Sequence, residues 1–334
     1  MQIKNITERS NMNKRLEKQK VYFTYEQQIE KLKNDGLIIS DEKRAKARLK
    51  WEGYFNFAVG YNRLFKDGNR AYEEGTTFEH VEALFDFDKK LRGIIYEYAQ
   101  NVECNLKALI SDEVSKNYGV NEREYLSEAS FSSDPEDLPR VRWMIGTCKS
   151  TLKDCCRENS GSYREYIAYY KKRYGHVPFW ALIRALSFGN VSKFLCLMKR
   201  EDGQRIAKEY GVSYSSLCNM MEVFVCFRNI AAHGERAYCA HLNTVALTKE
   251  LSVFAPLELP RNERGDREYG NNDFMAFLIC AKYLLPRLEF EECLERVAAQ
   301  VDKLQSVLQP QAFERVMHET GLSGNWRRLG EMRV

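Results

Sequence analysis

Apolar residues recur every three or four positions along most of the chain, and strand-like alternation is essentially missing, so the pattern predicts a mostly α-helical protein. A short helix is expected over 24–34, with Ile29 and Leu32 facing inward and Gly36 closing it. Ser40-Asp41-Glu42 reads as the start of a second helix, a capping serine followed by acids, running through Leu49, Phe57, Tyr61 and Leu64 and weakened at Gly53 and Gly60. Thr76 and Glu79 have capping-box spacing and open a long helix whose seam is Leu84, Leu91, Ile95, Tyr98, Val102, Leu106 and Leu109. The stretch 111–140 is irregular. Helices are then expected over 143–159, 163–174, from Pro178 to about Leu186, over 191–198 and over 204–210. Beyond them, 248–254 reads as helical and 256–272 as an exposed loop. Phe274–Leu285 and Leu288–Leu308 read as a helical pair around Pro286. The tail has anchors enough to pack, at Phe313, Val316, Met317, Leu322 and Trp326.

The chain is organised around Ser215–Leu242. Leu217, Met220, Met221, Phe224, Val225 and Phe227 form the buried side of a long helix, and Arg228, Asn229 and His233 follow where that run ends. Residues four apart share a helix face, so Asn229 and His233 can meet. Arg228 and His233 are five apart, about 140° around the axis, so the arginine reaches round the helix or meets the histidine of a second copy. Asp88 falls on the seam of the earlier long helix, four residues before Arg92. A buried charge there requires a partner, which an Asp88–Arg92 pair within the helix would supply; the alternative is that Arg92 or Glu103 supports the helix of Arg228 from across the bundle.

The 334 residues suffice for one substantial core or two modest ones. A net charge of +4 permits a nucleic-acid partner without requiring one. Ten cysteines form no CxxC pair, and several sit inside apolar helical patterns, where a reduced thiol is a small hydrophobe. With no signal-peptide pattern and no run of about 20 apolar residues, a reduced, cytoplasmic protein is expected. Residues 1–21 are polar and basic, either a frayed terminus or an arm for nucleic acid. The expected organisation is an arm over 1–21, a helical segment packed on the core over 22–75, the core over 76–250 and a C-terminal helical extension over 251–334.

The five histidines have no metal-ligand spacing, and phosphate-cradling glycine loops and nucleophile-elbow motifs are absent, so no metal and no cofactor is expected. What remains is Arg228-Asn229-x-x-x-His233. An imidazole can carry a proton near neutral pH, and a guanidinium can hold a phosphate and offset charge growing on it. These groups suffice for RNA cleavage in which the ribose 2′-hydroxyl attacks the adjacent phosphate. That reaction needs an acid and a base, and one motif supplies one imidazole, so two motifs facing each other in a homodimer would complete the set. Asn229 would orient His233 or bind a phosphate oxygen. Arg236 is the nearest further cation, and His241 is a weaker candidate. The alternative for the same residues is a helix cap and surface salt bridges.

In these segments the chain resembles the Abi family of bacterial abortive infection, within the HEPN superfamily. RNIAAHGER (228–236) is similar to the family's motif of Arg, a polar residue, three or more others, then His. FTYEQQIEKLKNDGLII (23–39) and GYNRLF (60–65) resemble its N-terminal helices. The segment 75–107, with Phe87-Asp88, Leu91-Arg92 and Glu103, resembles its central helix. Pro178, Trp180 and Ser187-Phe188-Gly189 match another family segment, and Gly324-Asn325-Trp326 resembles its ending. The resemblance implies an all-α, HEPN-like helical bundle with additional N-terminal and C-terminal helices. It further implies metal-independent RNA-cutting activity in phage defence, a dimer, and in some relatives a small non-coding RNA partner. Many relatives have a second histidine after the catalytic one, where this chain has Gly234. Two other functions are compatible, an RNA-binding protein that does not cut and a helical adaptor for a protein partner.

Overall fold

The computed structural model describes residues 22–67, 70–248, 251–322 and 324–332, so the basic 1–21 stretch lies outside the described residues. The fold is all-α: among the described residues there is no strand, only isolated β-bridges. The chain divides into two compact units, one ending at Phe85 and one beginning at Asp86.

The first unit opens with α1 (Tyr25–Asn34), where Thr24 and Gln27 exchange the two hydrogen bonds of a capping box and Ile29 and Leu32 are buried. In α2 (Glu42–Glu52) the cap is Asp41, one residue later than expected, its carboxylate accepting from the Arg44 N–H at 2.9 Å. The predicted continuation to Leu64 breaks at Gly53, whose φ of +82° only glycine adopts readily, and a short π-turn follows over Phe55–Val59. Phe57, Tyr61, Phe78 and Phe85 make the aromatic core of this unit, with ring centroids 5.0–5.3 Å apart.

Helix α3 (Phe78–Tyr118) starts in the first unit and runs on as the spine of the second. Its cap is Thr77 rather than Thr76. The Thr77 hydroxyl accepts from the His80 N–H, the Thr77 N–H donates to His80 Nδ1, and the Thr76 hydroxyl is taken up by the Glu73 carbonyl. The buried seam from Leu91 to Leu106 is as expected, but it continues through Ile110 and Val114 instead of Leu109, following the 3.6-residue period rather than a strict heptad.

Around that spine stand α4 (Glu122–Tyr125), α5 (Leu138–Cys155), α6 (Glu165–Tyr174), α7 (Phe179–Ala185), α8 (Phe188–Cys196), α9 (Arg200–Glu209), α10 (Tyr214–His233), α11 (Phe254–Leu257), α12 (Phe274–Leu284), α13 (Arg287–Gln305) and α14 (Pro310–Thr320). Among the described residues of 248–254, only Phe254 is helical. Conversely, α8 begins at Phe188, earlier than expected, because Ser187 caps it by accepting from the Asn190 N–H. Polar side chains of α3 reach its neighbours at successive levels. Asn101 bonds Glu289, Asn105 accepts from the Tyr210 hydroxyl, and Asn117 donates to the buried Asp202. Glu97 pairs with Arg296 through both oxygens, at 2.8 and 2.9 Å.

Helix α10 packs against α8, α9 and α12. Phe224 stacks on Phe277 with centroids 4.6 Å apart, and Phe227 adds a tilted contact at 5.7 Å. Gly203 of α9 faces Tyr214 so closely that an added Cβ would lie 2.2 Å from its ring. The Tyr214 hydroxyl donates to the Leu195 carbonyl, locking the start of α10 to α8.

Gly203→Ala should therefore displace the Tyr214 ring and destabilise the protein by about 1–3 kcal/mol. Gly146→Ala, in an exposed helical position with nothing near the new methyl, should stabilise it by up to about 1 kcal/mol. Urea unfolding of the two variants checks both signs.

Candidate functional site

The first part of α10 is core and its last turn is not. Ser213 caps it, accepting from the Ser216 N–H at 3.1 Å, and Leu217, Met220, Met221, Phe224 and Phe227 are fully buried. Gly234, at φ +71°, ends the helix in the left-handed conformation. Gly234 thus serves as the helix stop. Arg228 follows the last core phenylalanine and is half-buried, while Asn229 and His233 are exposed and share a face one turn apart.

Arg228 lies over the ring of Phe188, its guanidinium carbon 5.7 Å from the centroid. Phe188 is the fully buried first residue of α8, held there by the Ser187 cap. At Gly189 an added Cβ would come within 3.8 Å of Val225, so the Ser-Phe-Gly segment seats closely against α10. Arg228 Nε is shielded from solvent and has no hydrogen-bond partner. Among the described residues, no carboxylate pairs with Arg228, and no side-chain hydrogen bond holds Asn229 or His233.

Asp88 makes the intrahelical pair with Arg92 that its spacing suggests, and a second contact that the spacing does not. It is fully buried, and one oxygen meets the Arg92 guanidinium. The other accepts from the N–H groups of Ala237 at 2.9 Å and Tyr238 at 2.7 Å, immediately beyond the end of α10. The carboxylate of the intrahelical pair thus also holds the chain leaving α10. Glu103 pairs with Lys107 at 2.7 Å, and Lys107 donates to the Leu186 carbonyl at 3.0 Å, just before Ser187 and Phe188. Two links from α3 thus bracket the Arg–His end of α10, one on the chain leaving it and one on the segment beneath Arg228.

Arg236 is exposed in the turn between Gly234 and the anchored Ala237. His241 is exposed one residue before Leu242, whose N–H donates to the Asn272 carbonyl at 2.8 Å. Burial pushes the neighbouring Asp273 carboxyl up, and backbone N–H groups and the nearby His241 oppose that rise. The role of Lys107 and the two amides that donate to Asp88 were not anticipated. The Glu103–Lys107 spacing was legible, but its target was a backbone carbonyl about 80 residues away in sequence, which no side-chain pattern marks.

Among the described residues no group of three His, Cys, Asp or Glu side chains is placed to hold a metal, and no helix is long and apolar enough to cross a membrane. The family model for Abi-like proteins matches residues 47–239, more than half the chain and including Arg228, Asn229, His233 and Arg236. The chain belongs to the Abi-like protein family. No curated protein and no solved structure matches it.

Asp88→Ala would remove the buried carboxylate that pairs with Arg92 and accepts from the Ala237 and Tyr238 N–H groups. A loss of about 3–5 kcal/mol is expected. Hydrogen exchange at the amides of Ala237 and Tyr238 should accelerate more than exchange in α12.

Proposed function

We propose that this Abi-like protein is a metal-independent endoribonuclease of the HEPN type, acting in abortive infection or as a toxin in the cytoplasm. The observation that carries the proposal is the unpaired polar set at the end of α10: Arg228 half-buried against Phe188 with a shielded, partnerless Nε, and Asn229 and His233 open to solvent. A cation held in place without a carboxylate is suited to receive a phosphate.

In the proposed reaction an imidazole removes the proton from a ribose 2′-hydroxyl. The 2′-oxygen attacks the adjacent phosphorus, and the bond to the 5′-oxygen breaks. A second imidazole protonates that leaving oxygen, giving a 2′,3′-cyclic phosphate and a free 5′-hydroxyl. Arg228 offsets the charge on the phosphorus oxygens, and Asn229 orients His233 or donates its side-chain N–H to a phosphate oxygen. Since each chain contributes one such histidine, the reaction calls for a homodimer that brings two His233 and two Arg228 side chains to one cleft. Arg236 extends the RNA contact, and His241 is a secondary contributor. Asp88, Arg92 and Glu103 act by position, not by touching RNA. A small non-coding RNA is a proposed further partner.

His233→Ala and Arg228→Ala should each reduce cleavage of single-stranded RNA by about 100-fold or more, with circular dichroism unchanged. Cleavage by the unaltered protein should persist in EDTA and leave cyclic-phosphate ends detectable by mass spectrometry. Full ribonuclease activity in either purified variant would defeat the assignment. If the unaltered protein binds RNA without cutting it, the non-catalytic RNA-binding function is the right one.

A further inference from the structure

Helix α6 and the start of α7 present a surface that the Arg–His site does not use. The inner side of α6 belongs to a small satellite core in which Ile167 is buried with Val177, Ala181 and Cys155, and Tyr166 and Tyr170 pack against it. The outer side is aromatic and open. Tyr169 is 55% exposed, Tyr174 54% and Trp180 42%, although large aromatics on a single helical turn region normally contribute to burial. The rings form one continuous group. Tyr169 lies 5.9 Å from Tyr170 and 6.2 Å from Tyr174, and Tyr174 is 5.8 Å from Tyr170 and 6.4 Å from His176. The Trp180 indole N–H points to the Tyr170 hydroxyl at 3.5 Å.

Charge decides what such a group would hold. The last turn of α6 carries Lys171, Lys172 and Arg173, against a single acid, Glu165, at its far end. Lys171 is engaged by Glu122, whose other oxygen accepts from the Val177 N–H, so it braces the platform. Lys172 and Arg173 are exposed beside Tyr174 and have no carboxylate partner among the described residues. An apolar protein partner would gain from the rings and lose from desolvating these cations. A polyanion with flat, stackable faces gains from both.

We propose that the α6–α7 surface is a stacking platform for single-stranded RNA, with bases on Tyr169, Tyr174 and Trp180 and the phosphate backbone along Lys172 and Arg173. The proposal rests on RNA being the ligand class of the Arg–His site, and extends it with a second point of grip. Helix α7 joins the two: Trp180 stands in its first turn, and its end leads through Leu186 and Ser187 to Phe188 beneath Arg228. Seven helical residues span about 10 Å, a distance of only a few nucleotides.

The test uses the full chain and a fluorescent 2′-O-methyl oligouridine of about 12 nucleotides, which has no free 2′-hydroxyl to attack and so separates binding from cutting. Fluorescence anisotropy should show Tyr174→Ala weakening binding about tenfold and Tyr169→Ala with Tyr174→Ala weakening it further, consistent with loss of one stacked base and then another. Tyr174→Phe keeps the ring and should bind within about twofold of the unaltered protein, which guards against a folding defect as the cause. Equal affinity of the alanine variants and the unaltered protein overturns the platform, as does absence of any oligonucleotide binding. Cutting of unmodified RNA is read in parallel. Cleavage with unchanged affinity in the alanine variants rejects the platform alone. Ring-dependent binding without cleavage rejects the nuclease assignment and leaves the platform standing.

Discussion

One buried carboxylate fixes the geometry on which the candidate site depends. Asp88 is fully enclosed, and its donors include the Arg92 guanidinium and the N–H groups of Ala237 and Tyr238. A carboxylate removed from water is tolerated only when its lone pairs are satisfied, so the chain leaving α10 has essentially one place to go. The left-handed Gly234 makes the sharp stop possible, and Asp88 decides where the stop delivers the chain. The exposed residues between them, including Arg236, are pinned at both ends.

The same economy of construction runs the length of α3. Leu91, Ile95, Tyr98, Val102 and Leu106 supply a hydrophobic seam, while polar side chains on neighbouring positions reach specific atoms of other helices. At its far end, Glu113 and Asp202 are both buried and share Asn117 and Arg205 as donors, and Tyr118 also donates to Asp202. Hydrophobic contact alone is tolerant of small slips in register, whereas these hydrogen bonds are not. The bundle is therefore keyed at several levels, and two of the keys bracket the Arg–His turn. Phe188 supplies the remaining element by giving the Arg228 guanidinium a flat surface to rest on while keeping its polar edge free of a carboxylate.

Much of this was legible in the chain itself. The 3.6-residue spacing located the main helices, because burying one face of a helix leaves a periodic trace in the residues that form it. The Ser215–Leu242 stretch declared both its core face and the polar residues where that face ends. Boundaries were less exact, and the reasons are local. Thr77 displaced Thr76 as the cap of α3 because a histidine, not only a glutamate, can return the capping bond. The predicted helix through Leu64 failed at Gly53, where the backbone takes a conformation that other residues resist. Ser187 began α8 before the apolar run that seemed to mark it.

By itself the sequence determined the all-α class, the helix that carries Arg228, Asn229 and His233, and the need for Asp88 to find partners. These follow from interactions between residues a turn or two apart, whose spacing is written directly in the chain. Only the tertiary structure decided that Asp88 is shared with the amides of Ala237 and Tyr238, that Lys107 holds the Leu186 carbonyl, and that Phe188 lies beneath Arg228. Those contacts join residues from 40 to 150 positions apart, and two of the three end on backbone atoms that every residue has, so no side-chain pattern could announce them.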